Sequence, residues 1–114
     1  MTFIDAHHAE LSRRHYVRSA RSRWFDLSQS RIQEFHNRFD DDFCIVLNRS
    51  DNKDDLYVIP YSIAKRGLQA QLLDHRRRWI GFIRGNRLRI NKSGKNLPLG
   101  PFHNAFGLLD WFSD

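Results

Sequence analysis

Hydrophobic and polar positions alternate most clearly between residues 78 and 90 of the chain. The alternation is interrupted by Gly85-Asn86, and a glycine in the first central position of a two-residue loop predicts a type II′ turn. The segment is therefore predicted to be a β-hairpin with two different faces, because successive side chains of a strand point to opposite sides. The face predicted to join the core carries Trp79, Gly81, Ile83, Leu88 and Ile90. The other face carries Arg78, Ile80, Phe82, Arg84, Arg87 and Arg89.

Three further strands are predicted. Residues 43–47 and 56–59 are short runs rich in β-branched and aromatic side chains, joined by a polar loop, which is typical of two buried strands. After the hairpin, Ser93-Gly94 predicts a turn, and a third strand of this region is expected near residues 96–99.

Apolar residues with helical spacing predict helices in three places, and a fourth helix is expected after Pro101. Residues 31–39 keep apolar positions on one side, and Ser30 with Gln33 forms a capping-box pattern. Residues 62–72 follow, with Ser62 as the predicted cap and an apolar stripe at Ala64, Leu68 and Leu72. Residues 4–16 are a further helix candidate, whereas residues 19–30 read as a loop. The last helix is expected to pack through Phe106, Leu109 and either Trp111 or Phe112.

These elements predict one α+β domain over residues 1–114, with an antiparallel or mixed sheet of four or five strands and helices on one side. A chain of this length buries a core without disulfides or metal, and the lone Cys44 is expected to be an inert buried side chain. No stretch approaches the ~20 apolar residues of a membrane helix, and the start lacks the apolar core of a signal peptide. We therefore expect a cytoplasmic protein without membrane association.

Charge changes this picture of an ordinary domain. The net charge is +6, and 15 of the 19 cationic residues are arginine, whose planar fork matches phosphate oxygens and guanine edges. Residues 11–25 and 75–109 contain no carboxylate, while the acids gather at residues 40–42 and 51–55. Such segregation predicts a one-sided binding site for an anion.

The arginine-rich hairpin face is the best candidate for that site, because a two-stranded ribbon fits the major groove of B-DNA. We therefore predict binding of double-stranded DNA, with no cofactor and no metal. The residues predicted to contact DNA are Arg76, Arg77, Arg78, Arg84, Arg87, Arg89, Lys92, Ser93, Lys95 and Asn96, together with Arg13, Arg14 and Arg18.

Two alternatives belong to other classes of protein. His75, Asn96 and His103 occur in the order of a metal-dependent HNH nuclease, although their spacing is poor. The Glu-x-Lys motif of a different nuclease type, the PD-(D/E)XK nucleases, is absent. Catalytic activity of the chain's own is therefore not expected. The other alternative is a basic inhibitor or antitoxin that binds an acidic protein, and a nuclease subunit is a further candidate partner.

Two segments resemble known families. "DDFCIVLNRSDNKDDLYVIPY" followed by "RRRWIGFIRGNRLRINKSGK" resembles accessory parts of bacterial restriction-endonuclease-type proteins over about half of the chain. Residues 78–112 are similar to the AP2-type DNA-binding unit, through Trp79, residues 87–90 and Leu99-Gly100-Pro101-Phe102. The first resemblance implies DNA binding in a defence, restriction or mobile-element system. The second implies that a sheet face reads the major groove.

Overall fold

The computed structural model describes residues 12–20, 24–49, 55–90 and 96–112, and within them it contains seven strands and three short α-helices. The strands are β1 (His15–Ser19), β2 (Trp24–Ser28), β3 (Cys44–Asn48), β4 (Leu56–Pro60), β5 (Arg78–Arg84), β6 (Arg87–Ile90) and β7 (Asn96–Pro98). The α-helices are α1 (Gln29–Phe39), α2 (Tyr61–Ala64) and α3 (Gly107–Trp111), and 3-10 turns occur at Ala70–Leu72 and Gly100–Phe102.

The strands form two sheets. The first has the order β1-β3-β4, with β1 parallel to β3 and β3 antiparallel to β4. The second is antiparallel throughout, in the order β2-β5-β6-β7. The predicted α+β class is confirmed, but the described strands number seven in two sheets instead of four or five in one, because β1 and β2 were not predicted as strands.

One hydrophobic core lies between the two sheets. It joins Ile45, Leu47 and Tyr57 of the first sheet to Phe25 and Trp79 of the second. Helix α1 closes one side of this core, where the Phe35 ring stacks on the rings of Tyr16 and Phe43 at centroid distances of 5.4 and 5.3 Å.

The first sheet is buried on its other face as well. Val46 and Val58 pack there against Leu109 and Phe112 from the C-terminal segment. Cys44 lies in the same cluster, where burial raises the pKa of its thiol well above the usual range. Because both faces of the first sheet are covered, Arg18 on its edge strand β1 is set apart from the other arginines of the described strands, which lie on the outer side of the second sheet.

Helix α1 confirms the helix predicted over residues 31–39, with a different cap. The helix begins at Gln29, and the Ser28 hydroxyl accepts a hydrogen bond from the Arg31 backbone N–H at 3.4 Å. Ser28 is still extended, as an N-cap residue must be, whereas Ser30 is already helical. Ser28 is therefore the cap, and the assignment to Ser30 was wrong.

The N-terminal predictions need correction where the structure describes them. Tyr16 lies in strand β1 and not at the end of a helix, while residues 4–11 are outside the described residues. Residues 24–28 are strand β2 and not a loop. Its buried Phe25 and Leu27 alternate with less buried neighbours, which is a period-2 pattern too short to stand out among the flanking serines and arginines.

The helix predicted over residues 62–72 is broken into two pieces. Helix α2 ends at Ala64 without a side-chain cap, so the predicted role of Ser62 was wrong. The chain turns at residues 65–67 and forms only a 3-10 turn at Ala70–Leu72. Leu68 and Leu72 nevertheless pack against the core. Their spacing therefore predicted correctly that they face the core, but wrongly that one helix joins them.

The hairpin is confirmed in register, and its predicted inner face is buried. Its turn is type I′ and not II′, because both Gly85 and Asn86 have positive φ angles, of 56° and 57°. Strand β7 confirms the predicted third strand, and the predicted turn at residues 93–94 lies outside the described residues.

The final helix is confirmed, but only part of its predicted packing is. Leu109 and Phe112 are buried, whereas Phe106 is exposed and Trp111 is 77% exposed. A helix this short has one narrow apolar side, so Trp111 cannot share it with Leu109 and Phe112. None of the described helices is both long and apolar enough to cross a membrane.

Gly81 of strand β5 leaves no space for a side chain beside strand β6. A Cβ atom at this position would lie 2.8 Å from the Arg89 carbonyl oxygen and 2.9 Å from Ile90 Cδ1. We expect Gly81→Ala to lower the free energy of unfolding by ~1–3 kcal/mol, the usual cost of overpacking. The control is Gly107→Ala, because a Cβ there meets nothing within 4 Å. Chemical denaturation measures both variants, and a Gly81→Ala protein as stable as wild type would contradict the close contact.

Candidate nucleic-acid interface

The outer side of the second sheet carries the arginines of the hairpin, and we call it the arginine face. Residues directly opposite each other in antiparallel strands share a side of the sheet, so the register defines its members. One row crosses the sheet as Trp24, Phe82, Arg89 and Asn96, and the next row toward the hairpin turn contains Arg84, Arg87 and Pro98. On the side away from the turn lie Ile80 with Asp26 and Arg78 with Ser28.

Arg84 and Arg87 are the most distinctive pair on this face. They lie directly opposite each other beside the turn, and both are exposed. Neither side chain forms an ion pair or hydrogen bond with the described residues. Like charges in directly opposed positions destabilise a sheet, so this corner of the molecule has repulsion that the described structure does not offset.

The hairpin is embedded in the sheet and is not a free ribbon. Strand β2 pairs with β5, and β7 pairs with β6. The turn itself is held, because Asn86 accepts hydrogen bonds from the Tyr57 hydroxyl and, through its carbonyl, from the Leu99 N–H at 2.7 Å. Four strands span ~14 Å between their outer backbones, which exceeds the ≈12 Å width of the B-DNA major groove. The molecule thus presents a sheet face, and not the two-stranded ribbon that the sequence predicted.

The centre of the arginine face is apolar. The Trp24 and Phe82 rings meet edge to face at a centroid distance of 5.1 Å, with an interplanar angle of 72°. Both side chains and the neighbouring Ile80 are half-buried. An apolar patch therefore lies one residue pair away from the Arg84–Arg87 row.

Asp26 neutralises part of the face at its other end. Its carboxylate accepts a hydrogen bond from Arg78 Nη1 at 2.8 Å, and this bond raises the pKa of Arg78. The backbone carbonyl of Asp26 also accepts a hydrogen bond from Arg18 Nε at 2.8 Å. Of the predicted contact residues, Arg78 and Arg18 are therefore engaged within the protein, and Asp26 is the only carboxylate on the described part of the face.

Arg76 and Arg77 lie beside the start of α1, ~20 Å along β5 from Arg84. Arg76 is loosely paired with Asp74 at 3.7 Å, and the Arg77 carbonyl accepts a hydrogen bond from the Gln29 N–H. An open cavity of about 360 Å³ lies between this segment and the first turn of α1; it is lined by Ser28, Gln29, Ser30, Gln33, Arg76, Arg77 and Arg78.

The N-terminal arginines are separated from the hairpin turn. Arg14 forms an ion pair with Asp42 at 2.8 Å and lies 4.5 Å from the centre of the Phe39 ring. Its carbonyl accepts a hydrogen bond from Cys44 at the first residue of β3, whereas Tyr57, which contacts the turn, pairs near the last residue of that strand. Arg14 therefore does not connect the N-terminal arginines with the hairpin arginines into one continuous patch. Arg13, the residue before Arg14, is exposed.

The remaining predicted contacts are divided between described and undescribed residues. Asn96 lies on β7 opposite Arg89 and is exposed, as is Arg89. Lys92, Ser93 and Lys95 lie outside the described residues. The described part of the candidate site thus rests on Arg84, Arg87, Arg89 and Asn96.

The histidines of the nuclease alternative do not converge. His103 forms an ion pair with Asp55 at 3.0 Å and stacks on Tyr57, near the hairpin turn. His75 precedes β5 at the opposite end of that strand, ~20 Å away along the strand direction. Within the described ranges there is also no group of three or more His, Cys, Asp or Glu residues arranged to hold a metal ion.

A polar cluster that the sequence did not predict supports the turn. Asp55 bridges His103 and Arg49, whose Nε lies 3.1 Å from the carboxylate, and Arg49 also donates to the Tyr57 hydroxyl at 3.1 Å. Burial raises the pKa of Tyr57, which keeps its hydroxyl protonated to donate to Asn86. These residues come from separate segments without characteristic spacing, so no signal in the sequence connects them.

Comparison of the chain with protein-family models, curated proteins and solved structures finds no match. The two family resemblances therefore remain predictions. The three strands of the AP2-like segment, β5, β6 and β7, belong to the second sheet. Helix α3 follows them in the chain but packs through Leu109 against the first sheet.

The separation of His75 from His103 generates a prediction about chemistry. We expect no nicking of supercoiled plasmid in the presence of Mg²⁺, Mn²⁺ or Zn²⁺, because an HNH centre needs its base and metal ligands within one site. Agarose gel electrophoresis measures nicking. Cleavage that persists through purification and is abolished by His103→Ala would show that a catalytic centre exists.

Proposed function

We propose that the protein binds DNA through the arginine face, with double-stranded DNA as the ligand that its arginine-rich hairpin predicts. The observation that carries this proposal is the opposed, exposed pair of Arg84 and Arg87. A phosphate group between two guanidinium groups replaces their mutual repulsion by attraction to a shared anion, and arginine offers phosphate a bidentate hydrogen-bonding fork.

The other arginines support the proposal by contrast. Arg14 and Arg78 each pair with an aspartate that lies on a different segment, and Arg49 pairs with Asp55 across the β3–β4 connection. The protein thus uses its acidic residues to neutralise arginines around the core, and it places no described carboxylate beside Arg84 and Arg87. An external anion is the natural partner for the charge that remains.

Phosphate is favoured over the carboxylates of an acidic protein for two reasons. Exposed arginines also occur beyond the Asp26–Arg78 pair, where Arg76 and Arg77 lie ~20 Å from Arg84, and cations spaced over this length suit a repeatedly charged polymer. The net charge of +6 also favours association with a polyanion. A defence, restriction or mobile-element context, and a nuclease subunit as partner, are supported by the sequence resemblance alone.

The first test removes the opposed pair. We expect Arg84→Ala/Arg87→Ala to weaken duplex binding about tenfold or more. The slope of log K against log salt should become shallower by about 0.9, because the two arginines share one phosphate and each lost phosphate contact releases about 0.9 fewer counterions. Fluorescence anisotropy at several salt concentrations measures both quantities.

The matched control for this variant is Arg38→Ala/Arg66→Ala. It removes the same charge from two exposed arginines on α1 and after α2, away from the arginine face. An equal loss of affinity and of salt slope in both double variants would mean that net charge, and not this face, determines binding.

The second test increases the charge of the face. Asp26→Asn removes the carboxylate that pairs with Arg78, so we expect duplex DNA to bind roughly twofold to fivefold more tightly, the size of a typical exposed charge interaction. Asp110→Asn makes the same charge change on α3, on the far side of the first sheet, and should leave affinity nearly unchanged. Titration of each variant with duplex DNA measures these affinities. Weaker binding by Asp26→Asn would mean that DNA does not bind at the arginine face.

A further inference from the structure

We infer that the arginine face prefers an unpaired nucleic-acid strand to an intact duplex, with a base stacked on Trp24 and phosphates held by Arg84 and Arg87. The inference rests on the proposed function, because it assumes that the same arginines bind phosphate. It differs from the proposed function in the form of nucleic acid: an unpaired strand is the preferred ligand, and duplex DNA is the weaker one.

The arrangement of the face brings together the two kinds of contact that unpaired strands require. Trp24 lies on β2 and contacts Phe82 on β5, and Arg84 follows two residues further along β5 on the same side. Two residues of a strand span ~6.7 Å. The Trp24–Phe82 pair and the Arg84–Arg87 pair therefore lie one step apart on the same side of the sheet.

Unpaired strands are bound in this way by proteins of several folds. Aromatic side chains stack on exposed bases, while a positively charged surface follows the backbone. A four-stranded antiparallel sheet with aromatic side chains on its open face is one established platform for such contacts. Trp24 suits this role, because part of its side chain is exposed and its Phe82 neighbour approaches edge to face.

An intact duplex makes poorer use of the same face. Its bases are stacked on one another and are not accessible to Trp24, and the four-stranded sheet is wider than the major groove. Only the phosphates of a duplex reach the arginines. A duplex is therefore expected to bind through charge alone, and a single strand through charge and stacking together.

The decisive experiment compares three ligands of one sequence, each 20 nucleotides long and fluorescently labelled: single-stranded DNA, single-stranded RNA and duplex DNA. The variants are Trp24→Leu and Trp24→Phe, with Trp111→Leu as the matched control, because Trp111 is 77% exposed on α3 and lies away from the face. Fluorescence anisotropy at fixed salt gives each affinity, and thermal melting shows that each variant is folded.

We expect wild-type protein to bind one of the single strands at least about tenfold more tightly than the duplex, and the tighter strand identifies DNA or RNA as the source. Trp24→Leu should lose about fivefold to 100-fold in affinity for that strand, the usual contribution of one stacked base, with little change for duplex. Trp24→Phe should retain most of the affinity, and Trp111→Leu should behave as wild type.

A second measurement avoids any effect of substitution at Trp24. In a Trp111→Phe protein, the two remaining tryptophans are Trp24 and the buried Trp79. Stacking of a base on Trp24 should quench the fluorescence of this protein when single strands are added, and duplex should quench it less.

Two results separate failure of this inference from failure of the proposed function. Equal affinity for single strands and duplex, or an unchanged single-strand affinity in Trp24→Leu, overturns the inference while phosphate binding by Arg84 and Arg87 stands. No binding to any of the three ligands at low salt overturns both.

Discussion

The packing of the two sheets against each other is the constraint on which the rest of the structure depends. Tyr57 from the first sheet and Trp79 from the second lie in the same core cluster, and the opposite side of the first sheet is covered by Leu109 and Phe112. A sheet that is buried on both sides has no room for charge, since an unpaired charge in the core is very costly. The arginines of β5 and β6 therefore lie on the outer side of the second sheet, whereas Arg18 lies on the edge strand β1 of the first sheet and hydrogen-bonds the Asp26 carbonyl.

The packing of the two sheets also depends on close contacts within and beside the hairpin of β5 and β6. Gly81 lets the Arg89 backbone approach more closely than any side chain would allow, and the Tyr57 hydroxyl ties the hairpin turn to the first sheet through Asn86. The Leu99 N–H holds the same turn from the second sheet side, so hydrogen bonds to Asn86 fix the backbone between Arg84 and Arg87. Binding of an anion then has to order the arginine side chains but not the turn that carries them.

The distribution of the acidic residues explains why the arginine face remains positively charged. Asp42 and Asp26 each neutralise an arginine from another segment, and Asp55 neutralises Arg49 across the β3–β4 connection. Arg84, Arg87 and Arg89 stay exposed together on a face with an aromatic centre. Embedding the hairpin in four strands shifts the expected mode of contact from insertion into a groove to contact across a sheet, and this is what brings Trp24 beside the arginines.

The local pattern of the sequence was enough to determine the hairpin register, strands β3 and β4, helix α1 and the separation of the hairpin into a buried and a charged face, because period and turn residues act over a few positions. Partnerships between distant segments were decided only by tertiary structure. The pairing of β1 with β3, the placement of Trp24 opposite Phe82 and the capture of Arg14 by Asp42 each join residues that are 28 or more positions apart. Such contacts depend on how two sheets share one core, and no periodicity along the chain encodes them. The same reason explains why an arginine-rich segment could be recognised from the sequence, whereas which of its arginines are neutralised within the protein could not.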